Sequence, residues 1–282
     1  MNEPFVGREG GALLHLREWE ERFPGLAAGF TLRNGGVSEG AYHSFNLGLH
    51  VGDDPNRVVA NRRKLAAELG MSFEAWTCAD QVHGSRVCQV TAQSMGAGRE
   101  SLDDVIPATD GLHTNQPGVL LTSFYADCVP LFFLDPVSRA IGLAHAGWKG
   151  TVARIAEEMV RAFESHYGSR AEELLVAIGP AIGGCCYEVD ERIMERVRTA
   201  AARWEDAVTP RENGRYMLDL PRLNTEILAE CGVAPERVLR TGWCTSCRTD
   251  LFFSHRREAG KTGRMASFIG WRESEKGAVN ES

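Results

Sequence analysis

Three side chains that bind soft metals stand on short irregular segments, each beside an apolar run. They are His83 in Gln81-Val82-His83-Gly84, Cys128 in Ala126-Asp127-Cys128-Val129-Pro130, and His145 in Ala144-His145-Ala146-Gly147-Trp148-Lys149-Gly150. Two imidazoles and one thiolate make three ligands of a tetrahedral zinc, leaving the fourth position for water or substrate, which is the arrangement of a catalytic rather than a structural site. An isolated His is more often a hydrogen-bonded structural residue, and a Cys beside a strand is usually core packing. Local context favours ligation: His145 closes an apolar run ahead of a Gly-containing turn, where side chains and backbone N–H groups are offered to ligands. Asp127 and Cys128 interrupt apolar sequence that has no packing need for a charge. A metal-free alternative uses Cys128 as nucleophile and His145 as its general base, in the manner of a cysteine hydrolase, and gives His83 no role.

Other metal patterns fit less well. The zinc deaminase signature requires His-x-Glu followed by Pro-Cys-x-x-Cys, and this chain has no His-x-Glu. Cys244-Thr245-Ser246-Cys247 is half of a structural zinc site, for which Cys185-Cys186 could supply the other half; packed reduced thiols are the alternative. A multicopper oxidase would need many histidines in His-x-His pairs, whereas there are eight histidines and no such pair.

The elements that must position these residues are legible in outline. Strand-like runs occur at 29–32, 86–90, 119–125, 131–134, 140–144, 174–178, 238–241 and 265–269. A helix is predicted from Pro55, capped by Asp53 or Asp54 and stopped at Gly70, with Val58, Val59, Arg62, Leu65, Ala66 and Leu69 at helical spacing. Further helices are expected over 151–166, 190–202 and 221–231, and a surface loop over 91–107. Consecutive strands with isolated helices, lacking strict βαβ alternation, indicate an α+β fold with mixed β-sheets flanked by helices, formed as one domain over residues 1–282. That length, with 43% hydrophobic residues, is ample for a core. The net charge of −7 and the lack of a dense basic cluster argue against nucleic acid as a partner. The N-terminus has no signal-peptide pattern and the most apolar stretch, 118–134, is broken by Asp127 and Pro130, so a cytoplasmic protein with reduced cysteines and no membrane association is expected.

Several motifs together resemble the laccase-domain, YfiH-like family: 31–38 (Thr-Leu-Arg-Asn-Gly-Gly-Val-Ser), 44–48 (Ser-Phe-Asn-Leu-Gly), 51–54 (Val-Gly-Asp-Asp), the three segments around His83, Cys128 and His145, 179–183 (Gly-Pro-Ala-Ile-Gly) and 252–257 (Phe-Phe-Ser-His-Arg-Arg). The resemblance covers nearly the whole chain in order. It implies a single YfiH-like α+β domain with His83, Cys128 and His145 as ligands, usually of zinc and sometimes discussed with copper. It also implies purine nucleoside phosphorylase activity on adenosine, inosine and methylthioadenosine, with adenosine deaminase activity alongside. The family was earlier labelled multicopper polyphenol oxidase, and peptidoglycan precursor editing has been proposed for it. His255 departs from the Tyr that many relatives carry before the Arg pair.

Such chemistry sets further requirements. A metal with one exchangeable position can activate water for attack on C6 of adenine, or polarise a phosphate oxygen for attack on the anomeric carbon. Phosphorolysis builds positive charge on the sugar and negative charge on the purine, calling for an anion clamp and polar partners. Arg62, Lys149 and Arg257 are the candidates for phosphate, and Asn46 and Gln81 for ribose or base. The expected partners are purine nucleosides and phosphate, and the expected state is a monomer or homodimer.

Overall fold

The computed structural model describes residues 3–7 and 9–273. Two six-stranded mixed sheets face one another, and helices cover their outer faces. The first sheet runs, in spatial order, Phe5–Gly7, Leu13–Leu16, Leu26–Thr31, Met265–Trp271, Leu120–Tyr125, Trp76–Thr77. The second runs Val238–Arg240, Leu175–Ile178, Val129–Leu134, Ile141–Ala146, Gly111–Thr114, Val87–Gln89. Most pairings are antiparallel, with parallel pairs at Trp76–Thr77/Leu120–Tyr125, Val87–Gln89/Gly111–Thr114 and Leu175–Ile178/Val238–Arg240. A small third sheet joins Glu188–Val189, Tyr216–Leu218 and Val208–Pro210.

The layering explains the sequence of the central strands. In Val129–Leu134 every residue is buried: Leu131 and Phe133 pack with the helices Ile155–Tyr167 and Leu220–Glu230, while Phe132 and Leu134 point into the layer shared with Phe30, Leu121 and Ile269 of the other sheet. A strand covered on both faces reads as a continuous apolar run rather than an alternating one. Each large side chain so buried contributes about 1.5–3 kcal/mol. The helix Pro55–Glu68 covers the outer face of the first sheet through Leu65 and Ala66, against Leu120 and Phe268.

Helix boundaries follow their capping residues. The Asp54 carboxylate accepts the Asn56 N–H, Pro55 occupies the first turn, and Gly70 takes a left-handed φ of 65° just beyond the end. Asp190 and Asp219 likewise cap the helices Glu191–Val197 and Leu220–Glu230. The helix expected over 190–202 is thus shorter. The one expected over 151–166 starts earlier and divides into Trp148–Val152 and Ile155–Tyr167. The break lies at Arg154, which is left-handed (φ 59°) and ties its guanidinium to Ala200 O, Glu157 and Glu230. Those tertiary partners reward a turn that periodicity alone does not announce. No helix among the described residues is long and apolar enough to cross a membrane.

Candidate functional site

The fold brings the three candidate ligands together at one end of the two sheets. The segment carrying Cys128 joins Leu120–Tyr125 of the first sheet to Val129–Leu134 of the second. The stretch carrying His83 lies between Trp76–Thr77 of the first sheet and Val87–Gln89 of the second. Two of the three residues therefore sit where the chain crosses between sheets. Both crossings need left-handed backbone, at Asp127 (φ 87°) and at His83 itself (φ 62°), conformations uncommon for residues other than glycine. His145 comes from the strand Ile141–Ala146, whose register with Val129–Leu134 sets Ala146 opposite Val129 and His145 opposite Pro130, so that Cys128 follows on beside it. The metal-binding atoms of His83, Cys128 and His145 all lie within 4.8 Å of one another. Gly147 permits this approach: a Cβ there would meet the Cys128 sulfur at 2.9 Å and the His83 ring at 3.0 Å.

Asp110, which has no motif to mark it in the sequence, holds the group in place. It precedes the strand Gly111–Thr114, pairs with the backbone of His145 (His145 N–H to Asp110 O, 2.8 Å), and accepts a hydrogen bond from His145 Nδ1 at 2.8 Å. Its carboxylate also accepts the backbone N–H groups of Val82, His83 and Gly84 at 3.2, 3.0 and 2.7 Å. One buried carboxylate thereby fixes the His83 loop and orients the His145 ring, leaving Nε2 as the free nitrogen. Burial pushes the Asp110 carboxyl upward, but the His145 hydrogen bond and charge and the loop N–H groups outweigh it, and its pKa lies below the usual value.

The electrostatics favour a thiolate. Burial opposes ionisation of Cys128, yet the His145 charge and hydrogen bonds from His145 and His83 bring its pKa down to about 6. Burial likewise opposes protonation of His145, yet the Cys128 thiolate and Asp110 raise its pKa to about 9. A deprotonated thiol is the form that binds a soft cation, and two imidazoles with one thiolate suit zinc or a similar ion.

These residues line a cavity of about 470 Å³, a size suited to a small organic ligand. Phe124, Trp148, Ile182, Tyr187 and Leu220 give it apolar and aromatic wall, and Lys149, Arg256 and Arg264 contribute cations. His50 and His255 also line it. Burial, together with Arg264 and Arg62, lowers the pKa of His50 to about 4, so it is neutral at pH 7. The Arg256 guanidinium rests 5.0 Å from the centre of the Tyr187 ring and donates to Glu188 O.

Of the five expected substrate contacts, Lys149 and Gln81 line the cavity, although the Gln81 amide is paired with Phe124, donating to its carbonyl at 3.0 Å and accepting from its N–H at 2.8 Å. Asn46, Arg62 and Arg257 are placed outside the cavity lining. Asn46 is fully buried; its side chain donates to Asp53 and accepts from the N–H groups of Gly48 and Arg264, so it positions Arg264. Arg62 is also fully buried, donating to the carbonyls of Leu47, Gly98 and Arg99 and packing against Trp76 and Phe124. The turn around residues 254–257 presents Arg256, not Arg257, to the cavity; the Arg256 N–H and Ser254 hydroxyl donate to the Asp127 carboxylate at 2.7 and 3.0 Å. Arg264, His50 and Tyr187 lack a local sequence signal, because loops remote in the chain bring them in.

The chain shares its sequence and fold with known proteins. It is 45% identical to the purine nucleoside phosphorylase YlmD of Bacillus subtilis over 248 residues, 88% of this chain and 89% of that protein. The crystal structure of YlmD from Geobacillus stearothermophilus matches with a TM-score of 0.92 at 42% identity, covering 96% of this chain and all of the other. That of Bacillus licheniformis hypothetical protein YfiH matches with a TM-score of 0.91 at 41% identity and the same coverage. Residues 27–272 match the model of the multi-copper polyphenol oxidoreductase laccase family, and the chain belongs to that family.

Proposed function

We propose that this protein, acting as one domain, is a zinc-dependent purine nucleoside phosphorylase that cleaves adenosine, inosine and methylthioadenosine to free base and the corresponding ribose 1-phosphate, with adenosine deaminase activity at the same site. The observation that carries this reading is the convergence of His83, Cys128 and His145 on a nucleoside-sized cavity with aromatic walls and three cations. The names of the YlmD relatives support the same substrate class.

In this reading His83, Cys128 and His145 hold the metal, and Asp110 keeps His145 in the tautomer that offers Nε2. Zinc there would supply a Lewis acid with an exchangeable position. Phe124, Trp148 and Tyr187 provide faces for the purine. Lys149, Arg256 and Arg264 attract phosphate and set its oxygen on the anomeric carbon; the new C–O bond forms as the C–N bond breaks, and the departing purine takes the electron pair and then a proton. Positioning and charge stabilisation of this kind are large contributions to catalysis. His50, neutral at pH 7, can donate one ring N–H without adding charge.

The test is chromatography of adenosine incubated with zinc-quantified protein, with and without phosphate. Phosphate-dependent adenine with ribose 1-phosphate is the expected outcome, with inosine reporting deamination. Neither product from zinc-loaded protein would overturn the reading. A second reading has one observation in its favour: the low pKa of Cys128 beside a protonated His145 is also the electrostatics of a Cys-His hydrolase. It reduces His83 to a hydrogen-bond donor that favours the thiolate, with no ligand role.

A further inference from the structure

Four of the eight cysteines meet at a second place, outside the cavity. The parallel strands Leu175–Ile178 and Val238–Arg240 pair in register, Val176 with Val238 through Ile178 with Arg240, so their continuations leave the sheet side by side. A further bridge joins Ala181 to Cys244, with the Thr245 N–H donating to Ala181 O at 3.0 Å. Cys185 and Cys186 follow on one continuation, Cys244 and Cys247 on the other. All four sulfurs lie within 4.8 Å of one another, with Cys247 3.6 Å from Cys185 and 3.4 Å from Cys186. Tetrahedral zinc with bonds of about 2.3 Å requires sulfurs about 3.8 Å apart, close to these separations. A disulfide would need only two of the four. Supporting backbone is present as well: the Gly183 N–H donates to Cys244 Sγ at 3.2 Å, and a Cβ on Gly183 would stand 3.3 Å from Cys185 Sγ.

We propose that Cys185, Cys186, Cys244 and Cys247 form a closed four-thiolate site for zinc, distinct from the site of His83, Cys128 and His145. With no open position it is structural, and what it secures is the cavity wall. Ile182 and Tyr187, which flank Cys185 and Cys186 in the chain, line the cavity. The Ile182 N–H donates to Asp127 O at 2.9 Å, and the Thr245 hydroxyl donates to the Asp127 carboxylate at 2.6 Å. The cluster is therefore linked to the residue adjacent to Cys128.

Zinc per chain, measured on full-length protein purified without chelator, tests the proposal. Two zinc ions are expected in the wild type and one in the Cys185→Ser/Cys247→Ser double variant, while His83→Ala loses the other ion, so failure of either site shows separately. Equal zinc in wild type and double variant, or wild-type protein with these cysteines oxidised to disulfides and lacking that ion, would overturn it. Should the double variant fail to fold, cobalt-substituted wild type decides. Thiolate-to-cobalt absorption of five thiolates in all supports the second site, and absorption of one thiolate alone contradicts it.

Discussion

The two clusters of candidate ligands are built in different ways. The cysteine cluster stands on loop continuations, with Cys185 and Cys247 exposed, and each of its four donors is a cysteine sulfur. The cluster of His83, Cys128 and His145 mixes donors, buries His145, and faces a cavity with three cations. Four thiolates fill a tetrahedron, whereas three donors beside a cavity leave one direction to a ligand. Support differs too: Asp110 reaches both histidine-bearing segments, while the cysteines rely on a glycine N–H and the strand register. The number and kind of donors and the neighbouring carboxylate thus distinguish the two clusters, as a reacting and a structural site would differ.

That contrast can be broken most severely at the ligands. Cys128→Ala and His145→Ala are expected to abolish nucleoside turnover and remove one metal ion while the circular dichroism spectrum stays native; full turnover in either would break the assignment. Asp110→Asn keeps the size but loses the charge, and should reduce metal affinity or turnover about 10–100-fold, measured by chelator competition and steady-state kinetics. A change below twofold would show that Asp110 does not support the ligands.

The low pKa of Cys128 predicts a titration. In metal-free protein its alkylation, followed by peptide mass spectrometry, should rise as pH increases through about 6 rather than 9, because only the thiolate reacts. Adding zinc should suppress it, and His145→Ala should move the midpoint upward, since the imidazolium charge is what favours the thiolate. At pH 7 the metal-free rate should exceed that of an ordinary thiol about three- to sixfold, the gain in thiolate being largely offset by lower intrinsic nucleophilicity. The smallest effect on the site is expected from Arg62→Met. Its three carbonyl partners lose charge-assisted hydrogen bonds worth about 1.5–3 kcal/mol each, so denaturant stability should fall by several kcal/mol while metal content remains unchanged. Loss of the metal with the fold intact would give Arg62 a direct role at the site.

Much of this was legible in the sequence, for a physical reason. His83, Cys128 and His145 interrupt or end apolar runs, and such interruptions are visible without knowing the fold. The strand runs at 119–125, 131–134 and 174–178 were visible because they are covered on both faces and so read as unbroken apolar sequence. The strand Gly111–Thr114 was not, being four residues long with His113 in it, and with it Asp110 was missed. Arg256 and Arg257 differ only in the phase of one turn, which is set by distant Asp127. Arg62 shows why charge alone is a weak signal: a cation is a candidate for phosphate in sequence, whereas in the fold it is fully buried and donates to carbonyls at 47 and 98–99.

The measurement closest to the central claim is adenosine turnover, with and without phosphate, by His83→Ala protein whose folding and metal content are measured on the same sample. A metal site that uses all three residues predicts folded protein lacking that ion and without phosphorolysis. Folded protein lacking that ion that still turns adenosine over would contradict the metal site and leave Cys128 and His145 to act alone.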